Sequence, residues 1–164
     1  MNIQPEPLNL HHSFSIASKQ ELISVFRSHD QKKLILPEAV KFPLTVQSYF
    51  TWSEPSGVYV YLVFKLPNWD LPKGVAFKKV PFSGEPVGCL CNWCHAYGSS
   101  QEIGLMSVMI NKKTSASYPI CKDLSCAKKI EDMSNLSGKN PHRHQVELYA
   151  KMKIFFESLS EPQE

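Results

Sequence analysis

The sequence lacks the short motifs that identify many common enzymes. It has no glycine-rich phosphate loop, no Gly-x-Ser-x-Gly elbow and no His-Glu-x-x-His metal motif. We therefore interpret the chain as a non-enzyme without a small-molecule substrate. An active site could otherwise arise only from residues that are distant in the sequence and come together in the fold.

Long hydrophobic runs and a strong charge are also missing. The longest apolar run, residues 58–64, is far shorter than the roughly 20 residues that cross a bilayer, and it is typical of a buried strand. The N-terminus shows no basic region followed by an apolar one, as a secretory signal would. A net charge of +3 is too small to indicate nucleic-acid binding by itself. We expect a cytoplasmic protein with no membrane partner.

The length and composition predict one folded domain. A chain of 164 residues with 43% hydrophobic residues can bury one core and is short for two. Residues 1–15 contain two prolines and the pair His11 and His12 without any sustained period, so we expect a flexible N-terminal arm. The predicted domain spans residues 16–160.

Helical patterns lie near both ends of that domain. Ser18 and Glu21 form a capping box that opens a short amphipathic helix. A second short helix is predicted at residues 123–130, with Asp123 able to cap it. The final helix is predicted at residues 145–159. Its apolar face consists of Val146, Tyr149, Met152, Phe156 and Leu159.

The segments between these helices have the composition of strands. The predicted strands are residues 46–52, 57–65, 74–80, 103–112 and 117–120. Their connections are too short to hold crossover helices, so neighbouring strands should pair antiparallel.

The cysteines give the strongest chemical signal. Five cysteines without an export signal indicate reduced thiols or a metal site instead of disulfides. Cys91 and Cys94 have the spacing of a zinc knuckle, and Cys121 and Cys126 lie at the entrance of the predicted helix. There the unpaired amides and the helix dipole favour thiolates. Knuckle, hairpin and helix in this order predict a treble-clef finger with a structural Zn²⁺ ion.

These cysteines and their neighbours allow other interpretations. Four reduced cysteines could fill a core, but that leaves their paired spacing unexplained. A four-thiolate iron site usually takes two tight pairs, and the second pair here is wider. Cys89 and His95 flank the knuckle and could replace a ligand, although we expect a spare thiol and a surface or supporting histidine. His142 and His144 have no partner ligands nearby and predict a flexible surface loop.

The same residues resemble a known family. The segments 91–95, 106–109 and 118–126 are similar to the C-terminal treble-clef domain of the elongation factor G-binding proteins, which include fusidic-acid resistance proteins. The resemblance covers roughly residues 18–159, and its most specific element is Cys-Lys-Asp-Leu-Ser-Cys at 121–126. It implies zinc bound by four cysteines and docking on elongation factor G, which helps to release that factor from drug-stalled ribosomes. The resistance proteins also carry an N-terminal helical domain, for which this sequence shows only one short helix and an arm.

The partner contacts predicted from the sequence are Trp93, Tyr97, Lys128, Lys129 and Phe155. Trp93 and Tyr97 lie beside the knuckle and could contact a partner or cover the sulfurs. Phe155 and Phe156 are adjacent, so one of them should be partly exposed on a helix. Residues 112–153 hold nine basic residues and only four acids, which leaves an RNA- or ribosome-binding module as the alternative function.

The sequence therefore predicts an α+β fold, with an antiparallel β-sheet, a treble-clef zinc finger and a C-terminal helix. The function that it favours is non-enzymatic binding to a translation factor, with elongation factor G as the first candidate.

Overall fold

The computed structural model describes residues 13–81 and 88–159 of the chain. The helices are α1 (Lys19–Ser24), α2 (Ser28–Gln31), α3 (Cys126–Ser137) and α4 (His142–Ser158). The strands are β1 (Ser13–Ile16), β2 (Leu44–Gln47), β3 (Tyr49–Ser53), β4 (Tyr59–Phe64), β5 (Lys73–Lys79), β6 (Cys89–Leu90), β7 (Tyr97–Gly98), β8 (Ile103–Met109) and β9 (Ser115–Cys121).

A five-stranded antiparallel sheet in the order β3-β4-β5-β8-β9 forms the centre of the fold. Two small two-stranded sheets, β1-β2 and β6-β7, accompany it. The hairpin β8-β9 pairs Ile103 with Cys121 at one end and Met109 with Ser115 at the other. The predicted α+β class with an antiparallel sheet and a C-terminal helix is confirmed.

Both faces of the sheet are covered, and strand β4 belongs to two cores. Leu62 and Phe64 pack in a cluster with the cysteines and α4, while Tyr61 and Val63 pack in a second cluster with β1 and α1. Successive side chains of a strand point to opposite faces, so a strand covered on both faces is apolar throughout. This explains the continuous hydrophobic run at residues 58–64.

The beginning of the chain is more ordered than predicted. Residues 1–12 lie outside the described residues, but residues 13–15, which we expected in the arm, begin β1. Phe14 and Ile16 are buried, and β1 pairs in register with β2 from Ser13↔Gln47 to Ile16↔Leu44. The arm prediction was wrong for these residues because four alternating positions are too few to display a clear period.

The predicted strand at residues 46–52 is two strands. Ser48 has a positive φ of 67°, which breaks the extended backbone between β2 and β3. The two strands then pair in different sheets. The other predicted strands are confirmed with shifted ends.

The first helix begins as its sequence predicts. The Ser18 hydroxyl accepts a hydrogen bond from the Glu21 amide at 3.2 Å, and the Glu21 carboxylate accepts one from the Ala17 amide at 2.6 Å. This is a reciprocal capping arrangement at the start of α1, with the second bond made one residue earlier than in the usual capping box.

The last two helices are longer than predicted. Helix α3 continues to Ser137, and α4 begins at His142, so the histidines at 142 and 144 belong to its first turn instead of a flexible loop. The buried residues of α4 are Leu148, Tyr149, Met152, Phe155 and Phe156. None of the helices in residues 13–81 and 88–159 is long and apolar enough to cross a bilayer.

Candidate metal centre

The first cysteine pair lies in a tight turn between β6 and β7. The Cys91 amide donates a hydrogen bond to the Ala96 carbonyl, and the His95 amide donates one to the Cys91 carbonyl, both at 2.9 Å. The amides of Trp93 and Cys94 each donate to the Cys91 sulfur at 3.4 Å. His95 completes the turn with a φ of 60°. The backbone thus fixes the Cys91 sulfur and supports negative charge on it.

The second pair is placed by the end of β9 and the start of α3. Leu124 has a φ of 56°, and its amide donates to the Cys121 carbonyl at 3.0 Å. The Asp123 carboxylate accepts hydrogen bonds from the Ser125 amide at 3.1 Å and hydroxyl at 2.7 Å. This turn brings Cys126 back beside Cys121. Asp123 therefore stabilises the turn before the helix, which corrects the prediction that it begins and caps the helix.

The four cysteines converge in space. Their sulfurs all lie within 4.8 Å of one another, with 3.7 Å between Cys91 and Cys126 and 3.7 Å between Cys94 and Cys121. A tetrahedral ion with Zn–S bonds of about 2.3 Å separates its sulfur ligands by about 3.8 Å. All four side chains are buried. The donor set and its spacing fit a closed, structural Zn²⁺ site.

Contacts among the four thiols lower the pKa of two of them and raise the pKa of the other two. Hydrogen bonds with Cys121 and Cys126 lower the pKa of both Cys91 and Cys94. Hydrogen bonds with the other three sulfurs, together with burial, raise the pKa of Cys126. A hydrogen bond with Cys126 lowers the pKa of Cys121, but contacts with Cys91 and Cys94 and burial raise it overall. A divalent cation is what allows all four sulfurs to be thiolates together.

Tyr49 connects the sheet to this centre, although no sequence pattern indicates such a role for it. Its hydroxyl donates to the Leu124 carbonyl at 2.8 Å and accepts from the Ala127 amide at 3.1 Å. Ala127 lies in the first turn of α3, where backbone amides have no partner within the helix. Tyr49 therefore supplies the cap that Ser125, which makes no side-chain capping bond, does not.

Cys89 and His95 lie outside the cluster of four sulfurs. The partly exposed Cys89 is oriented by a contact of its sulfur with the Leu90 carbonyl at 3.5 Å. His95 is exposed, and its Nε2 lies 2.5 Å from the Nζ of Lys151 in α4. Lys151 also donates to the Asn92 carbonyl at 3.0 Å. His95 thus joins the knuckle to α4.

The residues predicted to contact a partner have different environments. Trp93 and Phe155 are only 6% and 5% exposed, with their rings 5.5 Å apart between the sheet and α4. This corrects the expectation that Phe155 or Phe156 projects from the helix. Phe155 packs against Phe77 and Trp93, and Phe156 packs against Phe64 and Trp69. Tyr97 is 72% exposed and Lys128 is exposed.

Lys129 is turned toward the metal centre. Its Nζ donates to the Cys121 sulfur at 3.3 Å. Burial disfavours its charged form, but the hydrogen bond to Cys121 and the nearby charges of Cys121 and Asp123 raise the pKa of Lys129 overall. It therefore belongs to the surroundings of the cysteines.

An open groove of about 490 Å³ runs between the knuckle and α4. Trp93, Tyr118 and Phe155 are the aromatic residues that line it, and Ile154, which is 67% exposed, lies at its side. Lys151 and His95 also line it, and no carboxylate is among the described residues that do so. The groove thus combines apolar surface with the positive charge of Lys151.

The basic residues of segment 112–153 do not form a uniform free surface. Arg143 pairs with Glu147 at 3.3 Å, and Lys153 pairs with Glu157 at 3.8 Å. Lys129 and Lys151 are hydrogen bonded to the metal centre and the knuckle. Several of the basic residues counted in the sequence thus make ion pairs or hydrogen bonds within the fold.

Comparison with known protein families matches residues 19–159 to the FBP C-terminal treble-clef zinc-finger. No curated protein matches the chain. The match covers most of the chain and agrees with the observed order of knuckle, hairpin and helix. Together with the converging cysteines, it identifies this chain as a zinc-binding protein with a treble-clef finger.

Proposed function

We propose, given that this chain belongs to the FBP C-terminal treble-clef zinc-finger family, that it is a zinc-stabilised protein that binds a translation factor. Elongation factor G is the first candidate, and binding in the cytoplasm would modulate its release from the ribosome. In this proposal Cys91, Cys94, Cys121 and Cys126 are the zinc ligands.

The proposed role of the zinc is structural. Four thiolates complete a tetrahedral shell, which leaves no position for a water molecule or a substrate. Zinc bound there would hold the knuckle, β9 and α3 together. Binding, and not catalysis, is then the activity that this centre supports.

The groove between the knuckle and α4 is the observation that supports a protein partner. Protein interfaces are anchored by aromatic residues and exclude water around them. Here Tyr118 and the largely buried Trp93 and Phe155 line a groove beside the exposed side chain of Ile154. Tyr97 and Leu90, a cross-strand pair that is 72% and 56% exposed, add apolar surface on the same knuckle.

The charge of the groove favours an acidic partner segment. Lys151 and His95 lie at its rim without a carboxylate among the described lining residues. An amphipathic segment that presents an apolar side chain and a carboxylate would complement both features. This is the partner chemistry that we propose for the docking site.

Calorimetric titration of the zinc-loaded protein with elongation factor G from the same source tests the proposal. We expect binding at micromolar affinity or better. Ile154→Glu should weaken it by about tenfold or more, because the new carboxylate repels an acidic segment and interrupts the apolar surface. Since Ile154 is exposed, the variant should fold normally.

Leu136→Glu is the matched control. Leu136 is 90% exposed on α3, outside the groove, so the same kind of substitution there should leave the affinity unchanged. Equal weakening by both variants would argue against the groove. No heat of binding with the unmodified protein would argue against elongation factor G as the partner.

The same titration at two salt concentrations distinguishes the RNA- or ribosome-binding alternative. Contacts with phosphates make affinity fall steeply as salt rises. An interface centred on aromatic and apolar groups depends on salt much less. The ion pairs of Arg143 with Glu147 and of Lys153 with Glu157 support the protein partner over RNA.

A further inference from the structure

Among the residues that the structure describes, Lys129 is the charged side chain that donates a hydrogen bond to the cysteine cluster. It lies three residues after Cys126 on α3, so the two side chains share one face of the helix. Helical side chains also tilt toward the N-terminus of their helix, which is the end where the cysteines lie. The Nζ of Lys129 is 3.3 Å from the Cys121 sulfur.

The charge of the proposed zinc site gives this contact a role. Four thiolates bring four negative charges against the two positive charges of zinc, which leaves the site with a net charge of −2. Two backbone amides donate to the Cys91 sulfur. The Cys121 sulfur instead accepts a hydrogen bond from the ammonium group of Lys129.

We propose that Lys129 is a positioning residue of the zinc site, which fixes the Cys121 sulfur as a ligand and shields it from electrophiles. The inference rests on the proposed ligation of zinc by the four cysteines. A hydrogen bond from an ammonium group stabilises a thiolate and engages a sulfur lone pair that would otherwise attack an electrophile. The same contact favours a bound zinc ion by offsetting the negative charge of the site.

Lys128 provides the natural comparison. It precedes Lys129 directly, so it points about 100° away around the helix, and its side chain is exposed. Both residues have the same charge and nearly the same distance along the chain from Cys126. Lys128 therefore has the charge of Lys129 without the contact with the sulfur.

The test compares Lys129→Met, Lys129→Arg and Lys128→Met as full-length, zinc-loaded proteins. Competition with a chromogenic chelator measures zinc affinity, and alkylation by N-ethylmaleimide followed by peptide mass mapping measures the reactivity of each cysteine. Lys129→Met should lose about tenfold in zinc affinity, as is typical when a group that orients a ligand is removed. Alkylation of Cys121 should be faster in this variant than in the unmodified protein, by about the same factor. The alkylation rates of the other three ligands should change much less.

Lys129→Arg should keep most of the affinity because it retains a charged donor, and Lys128→Met should behave as the unmodified protein. Equal acceleration of alkylation at all four cysteines would overturn the inference, because it would indicate general loosening of the fold. An unchanged Lys129→Met variant of a zinc-containing protein would overturn this inference alone. Absence of bound zinc in the unmodified protein would overturn the proposed ligation as well.

Discussion

At the residue scale, the hydroxyl of Tyr49 ties the central sheet to the zinc finger. It bonds to both the Leu124 carbonyl and the Ala127 amide, and the partly buried ring packs against the core cluster that contains the cysteines. Burial raises the pKa of Tyr49 above its ordinary value, so the phenol stays protonated and remains a donor near neutral pH. One side chain therefore satisfies two backbone groups of the turn and of α3.

Tyr49→Phe should destabilise the protein by about 1–3 kcal/mol, because it leaves a buried carbonyl and a helix amide without their partner. Urea unfolding of the zinc-loaded protein measures this loss. Tyr97→Phe is the control, since Tyr97 is largely exposed, and it should change stability by less than about 0.5 kcal/mol. Equal stability of the two variants would show that water replaces the Tyr49 hydroxyl without cost.

The cysteine cluster could be predicted from the sequence, whereas Tyr49 could not. Each cysteine pair is brought together by one local turn, so its spacing is visible in the chain. The bond from Ala127 to Tyr49 joins residues 78 positions apart, and only the packing of the sheet on α3 creates it. In the sequence, Tyr49 cannot be distinguished from other aromatic residues of a strand.

At the element scale, helix ends were the least predictable features. Residues 135–137 are exposed, so they show no apolar period, yet α3 continues through them. Gly138 ends the helix with a φ of 71°, and the Asn140 side chain accepts a hydrogen bond from the His142 amide at 2.9 Å at the start of α4. Capping, and not burial, therefore sets this junction.

Gly138→Ala tests that explanation. A Cβ at this position would have no atom within 4 Å, so the substitution creates no clash. The left-handed backbone alone should cost about 1–2 kcal/mol for alanine, measured as a lower midpoint of urea unfolding.

Gly138→Asn is the matched variant, and it should lose less stability because asparagine tolerates this conformation. Equal losses for alanine and asparagine would contradict the backbone explanation. An unchanged midpoint for alanine would indicate that the helix end can relax into another conformation.

At the scale of the whole molecule, the central sheet separates two hydrophobic cores of different composition. One core contains the four cysteines together with α3 and α4, and the other packs β1, α1 and the opposite face of β4 and β5 without any cysteine. The sequence predicted the sheet and the finger, but the shared strands became visible only in the fold. The division implies that the two cores depend differently on zinc.

Removal of zinc by a chelator should therefore unfold the finger first. The free energy of binding a structural zinc ion is also folding energy for the elements that supply its ligands. Hydrogen exchange should accelerate for amides of residues 91–98 and 121–137, while amides of β4 and β5 stay protected, because apolar packing on the opposite face continues to hold them. Mass spectrometry of peptides from zinc-loaded and zinc-free protein measures this difference.

Cys94→Ser should reproduce the zinc-free exchange pattern, whereas Cys89→Ser should keep both the zinc and the protection, because Cys89 lies outside the cluster. Lower pH should act in the same direction as the chelator, since protons compete with zinc for the thiolates. Uniform loss of protection across both cores would mean that the sheet transmits the loss of zinc to the whole chain. Unfolding confined to the finger would mean that the cysteine-free core holds β4 and β5 in place, and that zinc controls only the half of the molecule that carries the groove.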